Sequence, residues 1–466
     1  MSSIGRMRGF IASSIGVTCA IALTFPLTLP SGAQAAPRGT DAAPPGLRPG
    51  APALDPAPLP GSTQSLPLTA RPTDRTLAPD AQEQGVPPRD VRPFSLLGVV
   101  WDEVRTVLDG EVQVRTRATG TGTWSGWRSV NTHGHDHAAD PGSAEARSGR
   151  VRGATAPLWV GDSDGVEVRV TGHSHRDAHR PAPLPEGLRL ELVDPGPEPA
   201  PDRASGPVAA PAGGAVSRGR RAASADVPGA YEVPEIPDFG DLSDLSHLSD
   251  VLGTDQDRAP AAAGPHTAPR PKIVSRKKWG ADESLRESGF GYTNSVKAAF
   301  VHHSFTGNNY RCSQAPSVIR GIYRYHVVSS GWRDIGYNFL VDKCGTVYEG
   351  RAGGVSKAVL GAHTRGFNTN TTGIAVLGSY GSTTPPAAAV KGIAKLAAWK
   401  LGLYGVNPKA KTYLTSGGGN LYRKGEKVRL QVISGHRDGF ATECPGARLY
   451  GKLGTARSSA ARLQGR

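Results

Sequence analysis

Two stretches of this chain, residues 36 to about 90 and 196 to about 270, are rich in proline, alanine and glycine and poor in aromatics. Such segments lack the apolar surface needed to offset chain entropy, and both are expected to be disordered. The second reads as a linker and holds a short acidic repeat, "DFGDLSDLSHLSDVLG". Folded structure is thereby confined to two blocks, 91–195 and 271–466, so a multidomain chain is expected.

Residues 1–35 read as an export signal. Arg6 and Arg8 precede an uncharged apolar run from Phe10 to about Leu29, and Ala33, Gln34 and Ala35 fit a small-residue cleavage site. A retained membrane anchor is the alternative, because the run approaches the length of a span. Cleavage leaves a secreted chain with no stable membrane insertion. It also removes Cys19 and leaves three cysteines, Cys312, Cys344 and Cys444, an odd number for an oxidising compartment.

The first block carries short alternating runs such as "FSLLGVVWDEV", "GEVQVRTRAT" and "GVEVRVTG", separated by Gly, Asp and Pro. That pattern predicts an all-β, sandwich-like domain. Trp101, Trp124, Trp127 and Trp159 suit its core, or else a sugar-stacking face. Two histidine clusters, "HGHDH" (133–137) and "HSHRDAH" (173–179), fall in loop-like stretches; either can bind metal, but no ordered ligand set is apparent.

The second block alternates strand and helix signals. "SVKAAFVHHS", "GYNFLVDKCGTVYEGR", "TTGIAVLGSYG" and "QVISGHRD" read as strands, the second folding into a hairpin at Lys343–Gly345. Helical spacing appears over 315–329 and 387–403. The expected fold is α/β, a central mixed β-sheet flanked by helices. Residues 271–466 hold 29 Lys+Arg against 9 Asp+Glu, a net of +20. With +14 for the whole chain, residues 1–270 carry −6. The basic block should be drawn to polyanions. For an exported chain these are anionic wall polymers; no nucleic-acid motif is visible, and no nucleic acid is expected.

Chemistry concentrates in the same block. "VHHS" ends one apolar strand, and His436 follows another, "QVIS"; two strand ends can be neighbours in a sheet. Cys444 lies eight residues beyond His436, with "GFAT" between them to turn the chain back. A His/His/Cys set of the kind that holds zinc is feasible, against a reading as inert core residues. Cys312 and Cys344 both sit in turn-like positions, and a bridge between them leaves Cys444 as a thiolate. Bridges from Cys444 to either remain open.

The block resembles the peptidoglycan recognition protein and N-acetylmuramoyl-L-alanine amidase family, the type-2 amidases related to phage T7 lysozyme. The likeness rests on "IVSRKKWGA" (273–281), "FVHHS" (300–304), "GWRDIGYNFLVDKCGTVYEGR" (331–351), "GAHTRGFNTNTTGIAVLGSY" (361–380) and "SGHRDGFATECPG" (434–446), in family order. It implies zinc on His302, His436 and Cys444, with His303 as a packing partner and Tyr337 as a catalytic residue. Thr442 stands where some members have a catalytic lysine. His363 is implied in the substrate groove. Arg351 and Gly353 are implied in the region that tells stem peptides apart, where "GRAGG" lacks the aromatic of some relatives. Glu443, next to a ligand, reads as structural. The implied activity is zinc-dependent hydrolysis of the lactyl–L-alanine amide of peptidoglycan. The alternative is a peptidoglycan-binding recognition protein without catalysis.

Overall fold

The computed structural model describes residues 61–71, 83–132, 134, 137–173, 183–198 and 266–466. The expected export signal and nearly all of the expected linker lie outside them. Within the first block, eight strands join in one sheet: Ser62–Pro67 (β1), Thr69–Ala70 (β2), Glu83–Trp101 (β3), Gly110–Ala118 (β4), Arg128–Val130 (β5), Gly153–Ala154 (β6), Leu158–Gly172 (β7) and Arg189–Asp194 (β8). The order is β1-β8-β3-β7-β4-β5, with β2 and β6 also on β3. β3 and β7 are long, and register shifts after Val86, Asp90 and Phe94 bend the pair.

The stretch 36–90 needs correcting. β1, β2 and the first residues of β3 lie inside it and are ordered. β1 pairs with β8 over six residues, Ser62 opposite Asp194 through Pro67 opposite Arg189. An added strand is held chiefly by backbone hydrogen bonds. It therefore needs little apolar surface of its own, and composition alone does not reveal it.

The second block is built on a six-stranded mixed sheet. Its strands are Ile273–Val274 (β9), Ala298–His303 (β10), Phe339–Val341 (β11), Val347–Glu349 (β12), Thr371–Val376 (β13) and Ile433–Gly435 (β16), in the order β16-β10-β13-β11-β12-β9. β10, β13, β11 and β16 run parallel, and β11–β12 is the expected hairpin. A separate hairpin, Lys411–Thr415 (β14) with Lys427–Gln431 (β15), stands beside it. The short helix Arg276–Trp279 (α1) precedes β10. Ala315–Arg324 (α2) runs on into a wider turn at Tyr325–Ser329.

Because strand side chains alternate, the sheet has two distinct faces. Ala299, Val301, Phe339, Val341, Ile374 and Val376 pack against Ala387–Gly402 (α3) and Leu453–Leu463 (α5), which follows the single turn Ala447–Tyr450 (α4). Leu340, Ala375 and Leu377 on the other face pack under Val318, Ile319 and Ile322 of α2.

Both blocks lie in one unit, residues 57–466. The continuous apolar run "FSLLGVVW" explains their union. Leu97, Val99 and Trp101 point into the core of the β-domain, whereas Leu96 and Val100 point onto α2 with Trp159 and Val193. The last eight residues of β3, Phe94–Trp101, are therefore buried on both faces. Gly98 sits where a Cβ would fall 2.3 Å from the hydroxyl of Tyr325. Its lack of a side chain lets that tyrosine reach across and donate to Thr155 O at 3.1 Å.

Candidate metal centre

The register of the sheet builds the site. Val301 pairs with Gly435 in parallel, so the next residues, His302 and His436, leave adjacent strand ends side by side. Their ring centroids are 4.6 Å apart. Cys444 returns to meet them, fully buried, with its Sγ 3.8 Å from His302 Nδ1. Several contacts shape that return. Arg437 N–H donates to Cys444 O at 2.9 Å, and Cys444 N–H donates to Thr442 Oγ1 at 3.2 Å. Gly446 has φ +86°, and a Cβ there would lie 2.4 Å from the Tyr380 backbone, so the turn after Pro445 admits only glycine without distortion.

The two histidines of "VHHS" divide as strand alternation requires, but both are buried. His303 turns away from His302, accepts Tyr380 N–H at 3.0 Å through Nδ1 and meets Phe305 edge-on. Its backbone N–H donates to the Cys444 sulfur at 3.4 Å, a contact that favours the thiolate.

His363 does not line a groove. It is fully buried behind His302, its Nδ1 3.2 Å from His302 Nε2, while its own Nε2 lies 3.4 Å from Thr371 Oγ1. Thr371 in turn donates to Phe367 O. Read along that chain, His302 Nε2 carries the proton and Nδ1 presents a lone pair toward Cys444. Partners of this kind fix a metal-binding imidazole. Burial, followed by the neighbouring His436 and His137, pushes the His302 pKa well below its ordinary value; burial does the same to His363. Both are neutral at neutral pH, as ligation and hydrogen bonding require.

Tyr337, just ahead of β11, places its ring 5.6 Å from that of His302. His326, in the wider turn after α2, backs it at 5.8 Å and accepts Gly336 N–H at 3.2 Å. Burial, followed by nearby His137 and Arg351, lowers the His326 pKa to about 3. Thr442 is half-buried and holds the Cys444 backbone, and Glu443 is exposed. Arg351 lies on the same face but is spoken for: it grips Glu145 of the β-domain with two hydrogen bonds of 2.9 Å. Gly353 is a backbone element, its carbonyl accepting from Tyr292 at 3.0 Å. Cys312 and Cys344 form a disulfide, and Cys444 is a free buried thiol.

Sequence reasoning missed one residue. His137, from the "HGHDH" loop between β5 and β6, is buried against the other three donors, its Nε2 3.8 Å from Cys444 Sγ. Donor atoms of His137, His302, His436 and Cys444 all lie within 4.8 Å of one another. Tetrahedral zinc with ordinary Zn–S and Zn–N bonds sets sulfur and nitrogen about 3.6 Å apart, so the donor types and spacing fit zinc. Only the clustering of histidines in that loop hinted at it.

Residues 292–447 match the model of the N-acetylmuramoyl-L-alanine amidase family, and residues 52–200 match the model described as Rv3811 N-terminal galactose-binding domain-like. Peptidoglycan-recognition protein SC2 of Drosophila melanogaster is 31% identical over 185 residues, 39% of this chain and 85% of that protein. The chain belongs to the peptidoglycan recognition protein and type-2 amidase family. Among solved structures, Drosophila PGRP-LB is similar at 26% identity, covering 40% of this chain and 93% of that one with a TM-score of 0.32. Peptidoglycan recognition protein-LE, solved in complex with tracheal cytotoxin, a monomeric diaminopimelic acid-type peptidoglycan, is 28% identical, covering 39% and 92% with a TM-score of 0.30. Membership of this family supports peptidoglycan binding or amidase activity in general, and the matched region holds His302, His436 and Cys444.

Proposed function

We propose that this chain is a secreted, zinc-dependent N-acetylmuramoyl-L-alanine amidase that hydrolyses the lactyl–L-alanine amide of peptidoglycan. The observation that carries the reading is the buried convergence of His302, His436 and Cys444 beside Tyr337. Those three donors would hold a zinc ion, whose chemistry there would be to lower the pKa of a bound water toward about 7 and to polarise the amide carbonyl. The chain's own residues do the rest. Tyr337 donates its hydroxyl proton toward the oxygen on which charge develops. His363 and Thr371 hold the His302 ring and its tautomer. The His303 N–H favours the thiolate, and Thr442 keeps Cys444 in its turn. His326 stays neutral behind Tyr337 and supports it by packing.

The substrate region continues past Arg351 into a cavity of about 340 Å³ bordered by Arg286, Phe290, Arg333, Leu360 and Lys424. Its wall balances Arg286, Arg333, Arg351 and Lys424 against Asp140, Glu145, Glu287 and Asp334, a polar lining suited to a peptide with groups of both signs. The excess of positive charge in residues 271–466 favours retention near anionic wall polymers.

The test is digestion of purified peptidoglycan by the zinc-loaded chain and its His137→Ala variant, with and without chelator. New L-alanine amino termini without new reducing sugar ends, abolished by chelator, are expected from the variant at least. If neither protein releases them while zinc and peptidoglycan are both bound, the amidase reading falls and the chain is a recognition module.

A further inference from the structure

A zinc centre that hydrolyses an amide keeps one position for water, with three protein ligands. This centre has four converging donors, and the fourth comes from the other domain. His137 Nε2 stands 3.8 Å from the Cys444 sulfur, and its ring lies 4.6 Å from that of His436 and 5.5 Å from that of Tyr337. The cavity that His137 and Tyr337 share with Ser304, His326 and Trp332 is only about 20 Å³, and His302, His436 and Cys444 do not line it.

His137 is not an isolated intruder. Three residues on, Asp140 accepts from Gly366 N–H at 2.8 Å and from the side-chain amide of Asn368 at 2.7 Å. That amide also donates to Ala138 O at 2.9 Å. Five residues further, Glu145 forms its two-pronged pair with Arg351 and accepts Arg333 N–H at 3.1 Å. An imidazole and two carboxylates, spaced along one strip of chain, thus meet the three other donors, the "HTRGFN" loop and the arginine at once. The strip crosses this face in turns, Ser143 N–H donating to Asp140 O at 3.0 Å, and presents its carboxylates one after the other.

The seat is supported from behind. Leu96, Val100, Trp159 and Val193 of the β-domain bury α2, Trp159 N–H donates to Thr306 O at 3.1 Å, and Ser329 donates to Glu191 at 3.1 Å. Arg150 pairs with Glu287 at the far end of the strip. Domain docking therefore delivers His137 to the other three donors.

We propose that His137 is a fourth protein ligand of the zinc site and that residues 137–145 act as a built-in pseudosubstrate, holding the full chain latent until the strip lifts. This rests on the amidase reading for the identity of the site. The water position is closed by the chain's own imidazole, and Arg351 is closed by its own carboxylate. Opening requires only that residues 137–145 move, with the apolar contact between β3 and α2 intact.

The test uses the full chain loaded with Co²⁺ in place of zinc, read by its visible absorption, with acetohydroxamate as the probe. Wild-type protein is expected to show a four-coordinate spectrum that acetohydroxamate does not alter. His137→Ala is expected to bind Co²⁺ with a shifted spectrum and to respond to the probe at concentrations at least tenfold lower than any wild-type response. Glu145→Ala keeps every metal donor and weakens only the seat of the strip; it should give an intermediate response, which guards against a misfolded His137→Ala protein. A wild-type spectrum that responds to the probe as readily as His137→Ala overturns the proposal while leaving the metal site standing. Failure of both proteins to bind Co²⁺ or Zn²⁺ overturns the metal reading itself, and this proposal with it.

Discussion

Removing the Glu145 carboxylate tests the seat of the strip without touching a metal donor. Both side chains of the Glu145–Arg351 pair are 8% exposed, and each of its two hydrogen bonds is 2.9 Å. Burial alone would raise the Glu145 pKa, but the charge and hydrogen bonds of Arg351 outweigh it and hold the carboxyl below its ordinary value. Glu145→Ala strands a buried guanidinium, a change that costs roughly 3–5 kcal/mol. Arg351 keeps a 2.9 Å bond to Ile335 O, so the lower figure, about 3 kcal/mol, applies. That energy favours local opening of the strip by roughly 150-fold. The reporter is hydrogen exchange at Gly366, whose amide donates to Asp140 at 2.8 Å and does not touch Glu145. Its exchange should accelerate by about two orders of magnitude in the variant. The Gly373 amide, bonded to Asn338 within the amidase domain, should not change. Gly366 exchange within threefold of wild type would show that the strip is not one cooperative unit, and the reasoning would fail.

Cys444→Ser should lose bound zinc, measured by elemental analysis. Alkylation without reductant followed by intact mass should find no label on Cys312 or Cys344, because their bridge is independent of the site. His363→Ala removes the partner of His302 Nε2 and should weaken zinc by about 10- to 100-fold in a chelator competition, with little change in the far-ultraviolet spectrum. His326, pushed to about 3 by burial, stays neutral in the folded protein while the unfolded chain titrates near its ordinary value of 6.5. The unfolded state binds more protons between those values. The contribution of His326 is thus complete above about pH 6.5 and is lost as pH falls toward 3, by at most about 1.4 kcal/mol per pH unit. His326→Gln should flatten the dependence of the denaturant midpoint between pH 6 and 4.

Much of this site is legible in the sequence because it follows from local rules. His302 and His436 each close an apolar strand, and parallel pairing of those strands is what an α/β block favours. The β11–β12 hairpin and the helices α2 and α3 carry their own periodicity and turn residues. Three features resisted for physical reasons. β1 is a strand by virtue of its partner β8, and its own composition is that of a linker. His363 sits in a loop sequence that looks exposed, yet the loop folds under β10 and buries the ring against His302. His137 reaches the centre only through docking of two domains whose sequences do not announce the contact. The apolar run in β3 was the available clue, since a strand with one wet face would have alternated.

The double-sided burial of the end of β3 has a thermodynamic consequence. With a donor on each side of the β3–α2 contact, metal affinity and domain association are linked functions. Whatever factor by which zinc tightens the embrace of the two domains, the embrace tightens zinc by the same factor. A chelator then acts as a loosening agent at a surface far from any metal, and a crevice prised open along α2 acts as a chelator.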